Sequence, residues 1–203
     1  MDVSFVTLDV FTSRTFGGNP LAVITDARGL TTEQMQAITA EFNYSESTFV
    51  LHPEDPSNTA QVRIFDPVHE MPFAGHPNVG TAVALARAGE AFGKPIGDTM
   101  AFEEIAGIVN ITVMKDAAGN PVGATLVAPQ TFQQGAHAPI EAVAAALCID
   151  ESLIETSRHC PVAGSCGLPF VLAELTDLAA LEQCQSAAAT NPCWSMLKKV
   201  MTS

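Results

Sequence analysis

Basic residues are scarce in this 203-residue chain: 9 Lys and Arg stand against 22 Asp and Glu, a formal net charge of −13. Over most of its surface such a chain repels phosphate backbones and anionic lipid, which argues against nucleic acid and membrane surfaces as partners. Long apolar runs are missing too. A membrane span needs about 18 consecutive apolar residues, and the nearest approach, from Met71 to Ala86, is interrupted by Gly, Pro and His. The opening MDVSFVTLDVF has two acids and no basic residue before its apolar stretch, so neither a span nor a signal peptide is expected, and the expected location is cytoplasmic. No C-x-x-C pair or His/Cys zinc spacing occurs. The five cysteines, Cys148, Cys160, Cys166, Cys184 and Cys193, all lie in the last third at irregular spacings and read as reduced thiols, with no metal expected. The absence of G-x-S-x-G, P-loop, G-x-G-x-x-G and H-E-x-x-H patterns removes the common hydrolase, nucleotide-binding and zinc-protease readings. His159-Cys160 near Cys166 has no partner at usable spacing and reads as ordinary packing.

What is present is a compact globular chain, 47% apolar and only 15% charged, long enough for one sizeable core or for two lobes of about 100 residues each. An anionic small molecule remains compatible with the net charge, because helix-end amides bind a carboxylate locally. The β-rich runs Phe5 to Phe11 and Leu21 to Thr25 flank the turn Gly17-Gly18-Asn19-Pro20 and predict paired strands. Thr31, with Gln34 three positions on, marks a helix N-terminus, and Met35, Ile38 and Phe42 follow at helical spacing. Asn43 suits the left-handed position that ends this helix, which places Tyr44-Ser45-Glu46-Ser47 on a helix-to-strand corner.

Ala60 to Phe65 alternates as a strand, and from Asn78 to Ala88 the residues carry a single charge. A helix there has no polar face wide enough for solvent and must be enclosed. Its small residues Gly80, Ala82, Ala84 and Ala86 admit strands closely, which predicts a curled sheet around a helix, with runs 99–104, 108–114 and 123–128 completing the wrap. After Pro129 the character changes to a polar linker from Gln130 to His137, a helix near 139–148, a strand from Pro169 to Leu175 and a helix near 177–185. The expected division is a first lobe over 1–128 and a partial second lobe over 129–203, the latter reaching Trp194 to Ser203 without an obvious closing element.

Three residues at these positions are candidates for chemistry. Glu46 is an acid flanked by Ser45, Ser47 and Thr48 at a corner, where partial burial would suit it to proton transfer; the alternative is a solvated or capping glutamate. His76 directly precedes the enclosed helix, so its imidazole and the free first-turn N–H groups would face one space, a combination suited to a carboxylate or an enolate. The alternative is a histidine packed at a helix start and bonded to a carbonyl. Asn19 could present its amide to a ligand, or serve only the turn conformation.

The segments DVFTSRTFGGNPLAVI (9–24), MQAITAEFNYSESTFV (35–50) and RIFDPVHEMPFAGHPNVGTA (63–82) resemble the phenazine-biosynthesis PhzF family in order and spacing. The resemblance implies an α+β, diaminopimelate-epimerase-like fold, with two pseudo-symmetric lobes, each a sheet curled around a central helix, and the second incomplete here. It implies a cofactor-free isomerase acting on a small amino- or hydroxy-acid-like substrate, with Glu46 moving the proton and His76 assisting. Gly75 and the following helix start, with Asn78, would hold the substrate carboxylate, and Asn19 and Ser45 would complete the binding set. The family's second lobe adds a D-P-A-T-G-S-A-like motif that this chain lacks, although Gly167 to Leu172 is similar to the family's second-lobe strand. Two alternatives follow: a non-catalytic fragment or small-molecule-binding protein of the same fold, and an amino-acid epimerase using two cysteines. Against the latter, no cysteine precedes position 148. The expected partners are a small anionic metabolite and a second copy in a homodimer.

Overall fold

The computed structural model describes residues 3–187 together with Cys193, Leu197, Val200 and Met201. It divides into two compact units, residues 1–130 and 131–203.

The first unit contains strands β1 (Phe5–Val10) and β2 (Asn19–Ile24), helix α1 (Thr32–Phe42), and strands β3 (Glu46–Leu51), β4 (Ala60–Phe65) and β5 (Glu70–Met71). Helix α2 (Gly75–Ala88) follows, then the ribbon β6 (Glu90–Ala91) and β7 (Lys94–Pro95), and strands β8 (Thr99–Glu104), β9 (Gly107–Lys115) and β10 (Pro121–Val127). Local chemistry sets the limits of α1. The Thr31 hydroxyl accepts from the Gln34 N–H while the Gln34 side chain accepts from the Thr31 N–H, and Asn43 closes the helix in the left-handed region at φ 53°.

The main sheet runs β1-β2-β3-β4-β8-β9-β10, with β5 on β4; β2–β3 and β4–β8 pair in parallel and the remaining neighbours antiparallel. Strands from both ends of this order, β1 and β2 as well as β9 and β10, pack on α2, so the sheet curls around that helix. Asn78, and Gly80 through Leu85, are buried, and α2 is exposed only at its two ends, at Gly75 and in its last turn. Gly80 is where the wrap is tightest: a Cβ there would stand 2.5 Å from Leu21 Cδ2 and 2.8 Å from Val10 Cγ2. A Cβ on Gly18 would meet the Val10 carbonyl oxygen at 2.3 Å, so the chain entering β2 passes too close to β1 for any side chain.

The second unit contains strand β11 (Gln133–His137), helix α3 (Ile140–Leu147), a 3₁₀ turn (Glu151–Leu153), and strands β12 (Ile154–Glu155), β13 (Val162–Ser165), β14 (Pro169–Leu172) and β15 (Glu174–Leu175). Helix α4 (Leu178–Gln183) follows. Its core gathers Ala138, Ala142, Val143, Ala144, Ala146 and Ile154, joined by Ala187, Cys193 and Leu197. Two expectations change here. The segment read as a polar linker forms β11, a fully exposed edge strand held by pairing with β13 through Gln133–Ser165 and His137–Val162, a backbone ladder that leaves no apolar alternation to read. The run from Pro169 to Leu175 breaks at Ala173 because its halves pair with different strands, β14 with β13 and β15 with β12. The expectation for Trp194 to Ser203 lies largely outside the described residues.

Candidate active site

Parallel pairing of β2 with β3 brings Leu21 opposite Glu46, so the two strands begin side by side and place Asn19 beside Ser45 and Glu46. A buried hydroxyl pair, Thr48 to Thr81 at 2.8 Å, ties β3 to α2. Glu46 and Thr48 share a face of β3, so the same packing carries Glu46 to the start of α2, where His76 stands.

Four side chains then join in a line. Ser45 Oγ donates to Asn19 Oδ1 at 2.7 Å, which leaves the Asn19 amide nitrogen to face His76 Nδ1 at 3.3 Å. A nitrogen that accepts from an amide carries no proton, so the neutral imidazole holds its hydrogen on Nε2. That atom lies 3.4 Å from Glu46 Oε2. The two are close enough to attract but are not aligned as a hydrogen bond, and both atoms are buried without a hydrogen-bond partner among the described residues. Burial pushes the His76 pKa below its ordinary value, and the Glu46 charge opposes this without cancelling it. A neutral N–H donor and a carboxylate oxygen therefore face one small space.

The N-terminus of α2 borders that space. Its cap residue, Ala74, makes no side-chain capping bond, and open space surrounds the position of a Cβ on Gly75. First-turn N–H groups with no capping side chain attract a carboxylate or a developing oxyanion. Of the residues singled out from the sequence, Asn19, Ser45, Glu46, Gly75 and His76 are thus brought together. Asn78 reaches the same helix start, but its side chain is fully buried, and its amide donates to the Ala74 carbonyl at 3.0 Å.

Sequence reasoning passed over Glu104. It ends β8, both of its carboxyl oxygens are buried without a partner, and burial raises its pKa to about 8, with the Asn78 amide beside it as a weaker opposing influence. The run Glu103-Glu104 reads as a solvated strand end, and nothing local to it signals that α2 covers one of the two acids. Among the described residues no group of three or more His, Cys, Asp or Glu could hold a metal. No helix among them is long and apolar enough to cross a membrane.

Comparisons with known proteins agree with this architecture. An uncharacterized isomerase of Mesorhizobium japonicum is 38% identical over 195 residues, which cover 96% of this chain and 62% of that protein. The trans-2,3-dihydro-3-hydroxyanthranilate isomerase of Pseudomonas aeruginosa is 52% identical over 81 residues, 40% of this chain and 29% of that enzyme. A solved PhzF-family phenazine biosynthesis protein of Bacillus anthracis matches with a TM-score of 0.76 at 27% identity, covering 99% of this chain and 64% of the other. The chain thus spans less than two thirds of the length of the relatives it matches most fully. The model of the phenazine biosynthesis-like proteins matches residues 8–202, and with its α+β, diaminopimelate-epimerase-like sheet curled around α2 the chain belongs to this PhzC-PhzF family.

Proposed function

We propose that this chain carries the proton-transfer half of a PhzF-like isomerase acting on a small carboxylate-bearing substrate. The observation that supports it best is the Ser45–Asn19–His76 line, which fixes an N–H on His76 Nε2 opposite an unpaired Glu46 oxygen at the open start of α2. In this reading the Glu46 carboxylate removes a proton from a carbon adjacent to an unsaturated, electron-withdrawing group. The C–H pair becomes part of an enolate-like system, and the protonated Glu46 returns the same proton at another carbon of that system, which restores the carboxylate and leaves an isomer. His76 Nε2–H and the first-turn amides of α2, Gly75 among them, stabilise the transient negative charge and hold the substrate carboxylate. Proton, electron pair and charge balance without a redox partner or cofactor. The 81-residue match to an isomerase of a hydroxylated, amino-substituted cyclic acid favours a substrate of that kind.

Deuterium incorporation into such an acid in D₂O tests the reading. The chain is expected to catalyse exchange more slowly than a full-length relative, because removing even one preorganised anion donor commonly costs about 10²–10³ in rate. Glu46→Gln should lower exchange by about 10²–10⁴. Carboxylate binding with no exchange above background would favour the second reading, a small-molecule-binding protein of the same fold. We also propose a homodimer, supported by Phe170, Leu178 and Leu181, which leave apolar surface exposed on the second unit. Light scattering should then give a mass above 21.3 kDa.

A further inference from the structure

Around Asn78 and Glu104, acceptors outnumber donors. One N–H of the Asn78 amide goes to the Ala74 carbonyl at 3.0 Å and the other acts on Glu104 as a weak donor that lowers its pKa. That leaves one donor for three acceptors, Asn78 Oδ1 and the two Glu104 oxygens, which are buried without a well-formed hydrogen bond among the described residues. All three are pure acceptors if Glu104 is ionised, and a buried acceptor without a donor costs roughly 1–3 kcal/mol. The neighbouring charges cannot supply the donor. The hollow beside Glu104 is also lined by Glu54, Asp55, Arg63, Glu70 and Glu103. Arg63 is committed to Glu70, with two contacts of 2.7 Å, and to Thr32. Glu103 accepts from the Glu54 and Asp55 backbones and from Asn58. On the α2 side the nearest ionisable group along the chain is His76, which faces Asn19 and Glu46.

We propose that Glu104 is a positioning residue that stays protonated and donates its carboxyl hydrogen to Asn78 Oδ1, thereby aiming the Gly75 N–H at the ligand space. The lever is the planarity of the Ala74–Gly75 peptide. Its C=O and N–H point in opposite directions, so an Asn78 amide locked onto the Ala74 carbonyl turns the Gly75 N–H outward from the start of α2. The Ala106 N–H to Pro72 carbonyl bond at 3.0 Å holds the turn after β8 against the segment leading into α2, so Glu104 and Ala74 keep their relative places. Burial that raises the Glu104 pKa to about 8 keeps this donor present at neutral pH. The inference deepens the isomerase reading, because the amide it orients is one of the proposed anion donors.

The test is NMR on the folded chain, with no turnover required. A carboxyl carbon resonance missing from Glu104→Gln should titrate in wild type with a midpoint near 8, and the Gly75 amide and Asn78 side-chain amide should shift with that midpoint. Glu104→Gln, which keeps a neutral donor, should hold both amides near their low-pH positions at all pH. Glu104→Leu should displace them at all pH and weaken benzoate binding several-fold. Where Glu104→Leu does not fold, the wild-type titration and Glu104→Gln decide alone. Gly75 shifts that do not follow the Glu104 midpoint, or that persist in Glu104→Gln, overturn the proposal. A chain that shows these NMR responses yet catalyses no exchange would sink the isomerase reading and leave the positioning role standing.

Discussion

The two units differ in what they bury. In the first, Ile24, Phe49 and Phe65 are almost wholly removed from water in a cluster with Met35 of α1, and Leu21, Phe102 and Ile111 are equally buried in the sheet that wraps α2. In the second, alanines dominate the core and the strands are two to five residues long. Aromatic side chains bury far more area than alanine, and buried area scales with stabilisation. Rigidity is therefore concentrated where Glu46 and His76 must be held within fractions of an ångström, and the polar cluster lies in the unit able to hold it.

The largest expected effect comes from emptying the well-filled core. Within the range of about 2–5 kcal/mol for Ile→Ala, Ile24→Ala should fall near the top in urea unfolding and Ile154→Ala in the second unit near the bottom; comparable losses would break the contrast. Next is the pH dependence that Glu104 imposes. Its folded value of about 8 lies above the ordinary 4.5. The preference of the fold for its neutral form is therefore fully present below about pH 4.5 and is lost as pH rises from there through about 8. Subtracting the Glu104→Gln stability profile from that of wild type should isolate this fall, and a flat difference would show that the carboxyl is ionised and solvated.

A smaller effect tests the tight wrap itself. Gly80→Ala pushes a methyl into Leu21 and Val10 and should cost about 1–3 kcal/mol, read as a lower thermal midpoint with broadened Val10 methyl signals. An unchanged midpoint would mean that β1 and β2 yield easily. The smallest is local: Thr31→Ala removes the capping bond of α1 and should cost about 1 kcal/mol. Because α1 lies on the outside of the sheet, the Gly75 and His76 amide shifts should stay in place. Movement there would show that the site depends on more than the wrap around α2.

Much of the first unit could be read from residues close together in sequence. Thr31 and Gln34 marked the start of α1 and Asn43 its end, because capping and the left-handed turn are decided within a few residues. The near absence of charge from Asn78 to Ala88 was enough to require enclosure. The second unit was less legible. Strand β11 carries no apolar pattern and exists because β13 offers it a ladder, and β13 itself is a four-residue run, VAGS, too short for periodicity to register.

By itself, then, the sequence determined the helices of the first unit, most of its strands and the chemical character of Glu46 and His76, since propensity, capping and side-chain chemistry are properties of short segments. Tertiary structure alone decided that Asn19 and His76, 57 positions apart, should meet and so place the histidine proton on the side facing Glu46. It also set two adjacent glutamates apart: Glu103, on the interior strand β8, takes three donors, while Glu104, one residue on, turns to the opposite face against Asn78, where burial raises its pKa. Hydrogen-bond supply and desolvation depend on what the fold brings alongside a residue, and the residues flanking it in the chain do not specify that.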